Sequence, residues 1–135
     1  AHAFGSQCIV VSLDPKWNGS LWELYINGGR IATGINAIAY AQNMEMLGAG
    51  ELLINSLDRD GTAQGYDLKL LRTITHTVNI PVIASSGAGK KEDFLAAFLE
   101  ADVSATLAAT LFHDKKLTLP DLKTYLYKKG VYVRR

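Results

Sequence analysis

The chain has 135 residues, a length that accommodates one compact domain and excludes two full-sized ones. With 48% hydrophobic residues, 20% charged residues and only 3 prolines, its composition is that of a globular protein rather than a disordered or fibrous one. The 14 basic and 13 acidic residues leave a net charge of +1, which argues against nucleic-acid or anionic-membrane binding through net charge, so an anionic ligand would have to be held by local geometry.

Four short apolar runs predict four β-strands, and each is followed by a turn rich in Gly, Asp or Ser and then by a helix-like segment. The runs are rich in β-branched residues without clean alternation, which is typical of parallel strands covered by helices. The predicted strands are residues 8–13, 52–57, 81–85 and 103–109. The predicted helices are residues 35–47, 67–77, 91–101 and 119–128. Thr118, as a cap, and Pro120, in the first turn, indicate where the last helix begins.

The connection after the first predicted strand is longer than the others and carries Trp17, Trp22 and Tyr25. Residues 21–26 alternate in polarity and the Asn-Gly turn signal at 27–28 follows them, which predicts a β-hairpin projecting from this connection. Long connections in compact domains are usually functional or disordered, and the aromatic side chains favour an ordered one.

The order of elements is a βα unit repeated four times, so the predicted fold class is α/β. An open sheet of four parallel strands with helices on both faces satisfies this order. Half of an eight-unit TIM barrel satisfies it too, because a whole barrel typically needs about 250 residues and this chain has about half that number. The element pattern leaves both architectures open, and we expect a single domain over residues 1–135.

The residues that follow each strand form the candidate site, because parallel βα proteins bind ligands outside the carboxyl ends of their strands. The turn 85–89, Ser-Ser-Gly-Ala-Gly, lies between the third strand and a helix. Its small residues would let backbone N–H groups approach a phosphate, and the helix dipole would favour the negative charge. Residues 108–110, after the fourth strand, would converge on the same phosphate. The alternative is a tight turn whose glycines serve only backbone geometry.

Acidic residues follow the first two strands. Asp14 comes directly after a buried run, where a general acid or base would be rigid and partly desolvated, although a cap is the alternative. Asp58 and Asp60 cluster in the turn 58–62, a pattern more typical of a solvated turn than of a catalytic site. The glutamate and the ligand spacing of a calcium loop are missing there, so we reject calcium binding.

No metal or cofactor site is predicted. His2, His76 and His113 lack paired ligand spacing, and Cys8, the single cysteine, allows neither an internal disulfide nor a thiolate zinc cluster. We expect His76 at the surface and Cys8 in the core. The lone cysteine, the lack of an apolar run of ~18 to 20 residues and a start unlike a signal peptide predict a soluble cytoplasmic protein.

Several separated motifs occur in the order found in a known family. They are Phe4-Gly5-Ser6-Gln7, Gly48-Ala49-Gly50-Glu51, Asp58-Arg59-Asp60-Gly61-Thr62, Gly65-Tyr66-Asp67, Ile83-Ala84-Ser85-Ser86-Gly87-Ala88-Gly89 and Phe112-His113. Together they resemble the cyclase subunit of imidazole glycerol phosphate synthase, the HisF family, over nearly the whole chain. The resemblance implies strands five to eight of that family's (βα)8 barrel, which is half of a TIM barrel with a hairpin insertion after the first strand.

The resemblance also implies a reaction and a set of site residues. The family uses ammonia from a glutaminase partner to close an imidazole ring on a phosphoribulosyl-aminoimidazole nucleotide in histidine biosynthesis. Asp14 would be one of two catalytic aspartates, and Glu51 would belong to the charged ring through which ammonia enters. The implied substrate-binding residues are Asp60, Gly61 and Thr62, which would face the glycerol part of the substrate, with Asp58 nearby. The implied phosphate-binding residues are Ser86, Gly87, Ala109 and Thr110.

The family's second catalytic aspartate and second phosphate site lie in the N-terminal half, which this chain does not match. A single half would lack an acid/base pair and expose two unpaired strand edges. We therefore hypothesise that two copies associate into a pseudo-complete barrel, or that a separate N-terminal half completes it. Two alternatives remain: a phosphate-binding half-barrel without turnover, and a paralogous ammonia-dependent subunit for surface-sugar modification, which the hairpin also suits. Catalysis needs two positioned proton-transfer groups, whereas binding needs only the small-residue turns.

Overall fold

The structure, a computed structural model, describes residues 9–108, 112 and 117–133. This part of the chain contains six strands and four helices. In chain order they are β1 Val10–Trp17, β2 Trp22–Ile26, β3 Ile31–Asn36, α1 Ala37–Met46, β4 Glu51–Asn55, α2 Leu68–Thr75, β5 Val82–Ser85, α3 Lys91–Ala101, β6 Ala105–Leu107 and α4 Leu119–Lys128.

The four parallel strands follow one another across the sheet in chain order. The full strand order is β3-β2-β1-β4-β5-β6, in which β1, β4, β5 and β6 are parallel and β2 and β3 antiparallel. Helices that are consecutive in the chain contact one another, α1 with α2, α2 with α3 and α3 with α4. A doubly wound sheet would instead reverse its strand order at a switch point. The observed order is that of consecutive TIM-barrel strands, so the α/β half-barrel prediction is confirmed.

The hydrophobic core lies between one face of the sheet and the helices. Leu13, Ile54 and Ala84 are register neighbours on this face, and each is at most 3% exposed. The helices supply the facing apolar side chains, which include Ala37, Ala41, Leu70, Leu71, Ile74, Phe94 and Ala97. Burial of a Leu, Ile or Phe side chain contributes about 1.5–3 kcal/mol, so this interface holds the helices to the sheet.

The opposite face of the four parallel strands is only half-buried. Ser12, Leu53, Ile83 and Ala105 form one row across it. At its margins Val10 is 53% exposed and Leu107 is 47% exposed. In a complete TIM barrel this face is the packed interior, so apolar side chains that belong inside a barrel are open here. We call this surface the open face.

The first strand does not end before Asp14 as predicted. β1 continues to Trp17, because residues 14–17 pair in antiparallel register with residues 22–25 of β2. In the turn that follows β2, Asn27 and the two glycines after it have positive φ, and Arg30 N–H donates to the carbonyl of Ile26 at 3.1 Å. The hairpin prediction is thus confirmed, but its strands widen the sheet rather than forming a separate projection.

Two helices begin and end where the sequence predicts, and two begin later. α3 and α4 match their predicted bounds, with Thr118 as the cap of α4. α1 begins at Ala37, two residues after its predicted start, and residue 35 belongs to β3. The reason is a cap: Asn36 Oδ1 accepts from the backbone N–H groups of Ile38 and Ala39 at 2.9 and 3.2 Å. The apolar spacing across residue 35 does not show this boundary.

Some predicted features lie outside the described residues, namely His2, Cys8, Ala109, Thr110 and His113. His76 caps the end of α2 at the surface, as predicted, with Nε2 3.5 Å from Asp102 Oδ2. None of the helices in the described segments has the length and hydropathy of a membrane span. Among those same residues, no group of three or more His, Cys, Asp or Glu side chains is placed to hold a metal ion.

Candidate active site

Asp14 and the turn after β5 lie at the same rim, at the carboxyl ends of the parallel strands. Side-chain hydrogen bonds connect them across β4. Asn55 Nδ2 donates to Asp14 Oδ1 at 3.3 Å, and Ser86 Oγ donates to Asn55 Oδ1. The structure therefore brings together a carboxylate and the small-residue turn that the sequence predicts at one rim. Their roles in proton transfer and phosphate binding stay predictions.

Asn55 is the member of this group that no sequence motif predicts. It is the last residue of β4 and shares a sheet face with Glu51 and Leu53, two positions apart along the strand. Its register neighbour across β5 is Ser85. The signal in the sequence was a polar side chain at the carboxyl end of an apolar strand. Alternation along β4 places Asn55 on the open face, so its side chain points toward the site.

The turn after β5 is locked against the loop that follows β4. Gly65 N–H donates to the carbonyl of Gly87 at 2.7 Å. Gly87 has a φ of +115°, and a Cβ there would collide with the carbonyl of Gly65 and lie 2.9 Å from Arg59 Cβ. A Cβ on Gly89 would collide with the carbonyl of Ala63 in the same way. Both glycines are thus required by packing, whatever the turn also binds.

The amino terminus of α3 is held by one of its own side chains. Asp93 Oδ2 accepts from the backbone N–H groups of Gly89 at 2.8 Å and Lys90 at 3.0 Å. The small-residue turn predicts a phosphate at the positive end of this helix, whereas in the structure a carboxylate already accepts from these two donors. A phosphate would have to bind earlier in the turn, at Ser86 and Gly87, which are the positions that the family resemblance implies.

Asp93→Ala is expected to lower the free energy of unfolding by about 1–2 kcal/mol, because two backbone donors lose their acceptor. Urea denaturation followed by circular dichroism measures the loss. Asp121→Ala is the matched control, since Asp121 also lies in a first helical turn but Thr118 supplies the cap of that helix. Equal losses in the two variants would contradict the capping role of Asp93.

The acidic loop after β4 is organised by hydrogen bonds of its own. Asp58 Oδ2 accepts from the backbone N–H of Trp17 at 2.8 Å, which fastens the hairpin to this loop. Thr62 Oγ1 donates to the carbonyl of Arg59 at 2.8 Å. Asp60 is exposed, as is the glycine after it, and its carboxylate has no partner within the described part of the chain. The substrate contacts implied for this loop stay predictions, and Asp58 has a structural contact in addition.

Two further side chains brace the loop. Arg59 donates through a guanidinium nitrogen to the carbonyl of Gly65 at 3.3 Å. Tyr66 is 2% exposed, and its hydroxyl donates to the carbonyl of Leu107 at 2.9 Å, tying the loop to β6. Burial raises the pKa of the Tyr66 phenol above its ordinary value, so this group stays protonated at neutral pH and serves as a hydrogen-bond donor rather than as an acid/base group.

The hairpin places Tyr25 and Lys16 on the sheet face of Asp14, and Trp17 and Trp22 on the opposite face. Tyr25 pairs with Asp14 in the β1–β2 register, so the two side chains share a sheet face. Lys16 Nζ lies 5.7 Å from the centroid of the Tyr25 ring. Trp17 and Trp22 stack edge to face with their centroids 5.0 Å apart. These contacts order the long connection, as the aromatic composition predicts.

Glu51 lies at the other end of the sheet. It is the first residue of β4, opposite Val10, and its backbone N–H donates to the carbonyl of Ile9 at 3.2 Å. Its side chain shares the open face with Asn55, four residues further along the strand. A path from Glu51 to Asp14 would therefore run along the open face, and the ammonia-gate role stays a prediction.

The comparisons with known proteins bear on these observations. A family model described as "Histidine biosynthesis protein" matches residues 1–118. The chain belongs to this family. Its relatives include the imidazole glycerol phosphate synthase subunit HisF of Hydrogenobaculum sp. (strain Y04AAS1), 54% identical over 135 residues, which are 99% of this chain and 54% of the relative. The proteins of the same name from Pyrobaculum aerophilum and Thermococcus onnurineus are 52% and 50% identical over 134 residues, 99% of this chain and 53% of each relative.

These comparisons confirm the resemblance to the HisF family. They also show that the chain spans about half the length of the curated relatives it matches. The half-barrel order of the parallel strands agrees with that proportion.

Proposed function

We propose that residues 1–135 form one domain, the C-terminal half of an imidazole glycerol phosphate synthase cyclase barrel. In the assembled barrel this half takes part in ammonia-dependent ring closure on a phosphoribulosyl-aminoimidazole nucleotide in histidine biosynthesis. The names of the three relatives support the reaction. The observation that carries the proposal is the hydrogen-bonded connection between Asp14 and the Ser86 turn at one rim.

Asp14 is the proposed acid/base group. It is half-buried on a paired strand, and the amide of Asn55 donates to its carboxylate. A carboxylate fixed in this way can accept a proton as ammonia adds to the substrate and return a proton as the ring closes. The proposed phosphate-binding residues are Ser86, Gly87, Ala109 and Thr110, of which the last two lie outside the described part of the chain. The other proposed substrate-binding residues are Asp60, Gly61 and Thr62, which would face the glycerol part, with Asp58 nearby.

Ammonia is proposed to arrive from a glutaminase subunit at the end of the sheet where Glu51 lies. From there it would follow the open face toward Asp14, a path that the shared sheet face of Glu51 and Asn55 supports. The proposal involves no metal and no cofactor. The description of the matching family model, "Histidine biosynthesis protein", favours the histidine pathway over the surface-sugar alternative.

A second half-barrel is proposed to cover the open face. The relatives are about twice as long as this chain, which is the length that a complementary N-terminal half would account for. When no complementary half is present, two copies of this chain are proposed to associate through the same surface. Exposed Val10 and Leu107 would then be buried, as barrel-interior residues are.

Sedimentation equilibrium is expected to give about twice the 14.7 kDa mass of the single chain. Leu53→Lys, in the central row of the open face, is expected to shift the protein toward monomer, because a buried unpaired charge opposes association. Leu99→Lys is the matched control, since Leu99 is 59% exposed on α3 and away from the sheet. A wild-type chain that sediments as a folded monomer would rule out the self-association.

Ring closure measured with ammonia as the nitrogen donor tests the function directly. The chain is assayed alone and mixed with a separately produced N-terminal half of a HisF relative, with release of imidazole glycerol phosphate as the readout. Turnover in either assembly is the expected result. Phosphate binding by a correctly assembled barrel without any turnover would contradict the cyclase proposal and favour the binding-module alternative.

A further inference from the structure

The hydrogen bonds around Asn55 define the orientation of its side-chain amide. The Asp14 carboxylate, when ionised, can only accept, so the Asn55 nitrogen must face it. The Asn55 oxygen then faces Ser86, whose hydroxyl donates to it. Both ends of the amide are thus used, one on the acid/base side of the site and one on the turn after β5. Three elements that are far apart in the chain meet through this one side chain.

Asn55 and Ser86 are both residue types that their local backbone conformation disfavours. Asn is disfavoured in strands, and residues 52–54 before it are all apolar. Ser86 has a φ of +79°, a conformation that costs a residue with a Cβ on the order of 1–3 kcal/mol. Strain of this kind persists only where surrounding contacts hold it, and the bond to Asn55 is such a contact.

We propose that Asn55 is a positioning residue that fixes the rotamer of Asp14 for proton transfer, with the Ser86 hydroxyl holding the amide in the required orientation. The inference rests on the proposed function of the same site and names a residue that acts through Asp14. An amide suits this role because it does not titrate, so its donor faces Asp14 at any pH at which the reaction runs.

The rotamer of Asp14 tests the inference without any need for turnover. Three-bond couplings between Hα and Hβ, measured by NMR on the whole chain, report whether χ1 occupies one staggered well or several. One well is expected in the wild type, and averaged couplings are expected in Asn55→Leu, which has the same branching and number of side-chain heavy atoms but no hydrogen-bonding group. Asn43→Leu, the same change at an exposed position of α1, is the control and should retain the wild-type couplings. A single unchanged rotamer in Asn55→Leu would overturn the proposal.

Kinetics of the assembled barrel provide a readout that a merely structural role would not move. Asn55→Leu is expected to lower kcat at least tenfold while KM changes less than threefold, since the bond from Gly65 N–H to the carbonyl of Gly87 still holds the turn after β5. In an Asp14→Asn background the same substitution is expected to lower kcat no further, because the group that it positions is already absent. Losses that multiply in the double variant would contradict the proposal.

Ser86→Gly guards against the case in which Asn55→Leu fails to fold. It removes the hydroxyl that bonds to Asn55. It also removes the backbone strain at this position, because glycine adopts a positive φ without steric cost, so the chain should remain folded. A partial averaging of the Asp14 rotamer is expected, and couplings identical to the wild type would count against the role of the hydroxyl. Absence of turnover from every wild-type assembly would refute the proposed function alone, because the rotamer measurement still decides the role of Asn55.

Discussion

Gly87→Ala is expected to lower the free energy of unfolding by about 3 to 5 kcal/mol, a large effect for one added methyl group. The new Cβ would collide with the carbonyl of Gly65 and approach Arg59 Cβ to 2.9 Å. Neither neighbour can move freely, since Gly65 N–H bonds to the carbonyl of Gly87 itself and the Arg59 guanidinium is held on the same loop. The added side chain would also occupy a φ of +115°. Thermal unfolding should show a fall in Tm of roughly 10 °C or more.

Gly19→Ala separates the two causes of that loss. Gly19 has a φ of +101°, close to that of Gly87, but a Cβ there would meet no atom within 4 Å. It therefore carries the backbone strain of a positive φ without the collision. The difference between the two variants measures the packing of the turn after β5 against the loop after β4. Similar losses in both would show that the two loops are not packed as described.

The sequence predicts most of the fold because its elements carry strong local signals. α4 begins where Thr118 and Pro120 predict, and the hairpin turn lies at the Asn-Gly pair. The predicted end of the first strand was wrong for a physical reason. The last four residues of β1 are a strand only because β2 pairs with them, and such pairing is not a local property of the sequence. The choice between an open doubly wound sheet and a half-barrel likewise depends on the order of strands in space, which four consecutive βα units do not define.

The candidate site likewise has features that local sequence signals predict and features that depend on contacts in space. The positions of Asp14 and the Ser86 turn follow from the rule that the carboxyl ends of parallel strands share one rim. The roles of Asn55 and Asp93 do not follow from any motif, because each depends on a contact between elements or on the direction of a side chain. Asp93 in particular replaces the expected anion at the start of α3, and only the geometry of the two N–H donors reveals it.

Asp14→Asn is expected to lower kcat of the assembled barrel by about 10²- to 10⁴-fold while leaving the affinity of the chain for inorganic phosphate nearly intact. The substitution keeps the shape of the side chain, and its amide oxygen can still accept from Asn55 Nδ2, so the rim should retain its geometry. What is lost is the ability to take up and return a proton. Stopped assays of ring closure give kcat, and titration of phosphate followed by ³¹P NMR gives the affinity.

Asp102→Asn is the matched control for that experiment, because it makes the same change of charge at an exposed position beside His76, at the end of α3 and before β6, and so at the end of the sheet opposite the rim. Its kcat should equal that of the wild type. If Asp14→Asn retained wild-type turnover, the proton transfers would have to be carried by another group, and the exposed carboxylate of Asp60 on the neighbouring loop would be the first to examine. If it instead lost phosphate affinity together with turnover, Asp14 would be supporting the shape of the rim rather than acting on the reacting atoms. Only the combination of lost turnover and retained phosphate binding assigns Asp14 to the chemical step, because this combination distinguishes a loss of proton transfer from a loss of substrate binding.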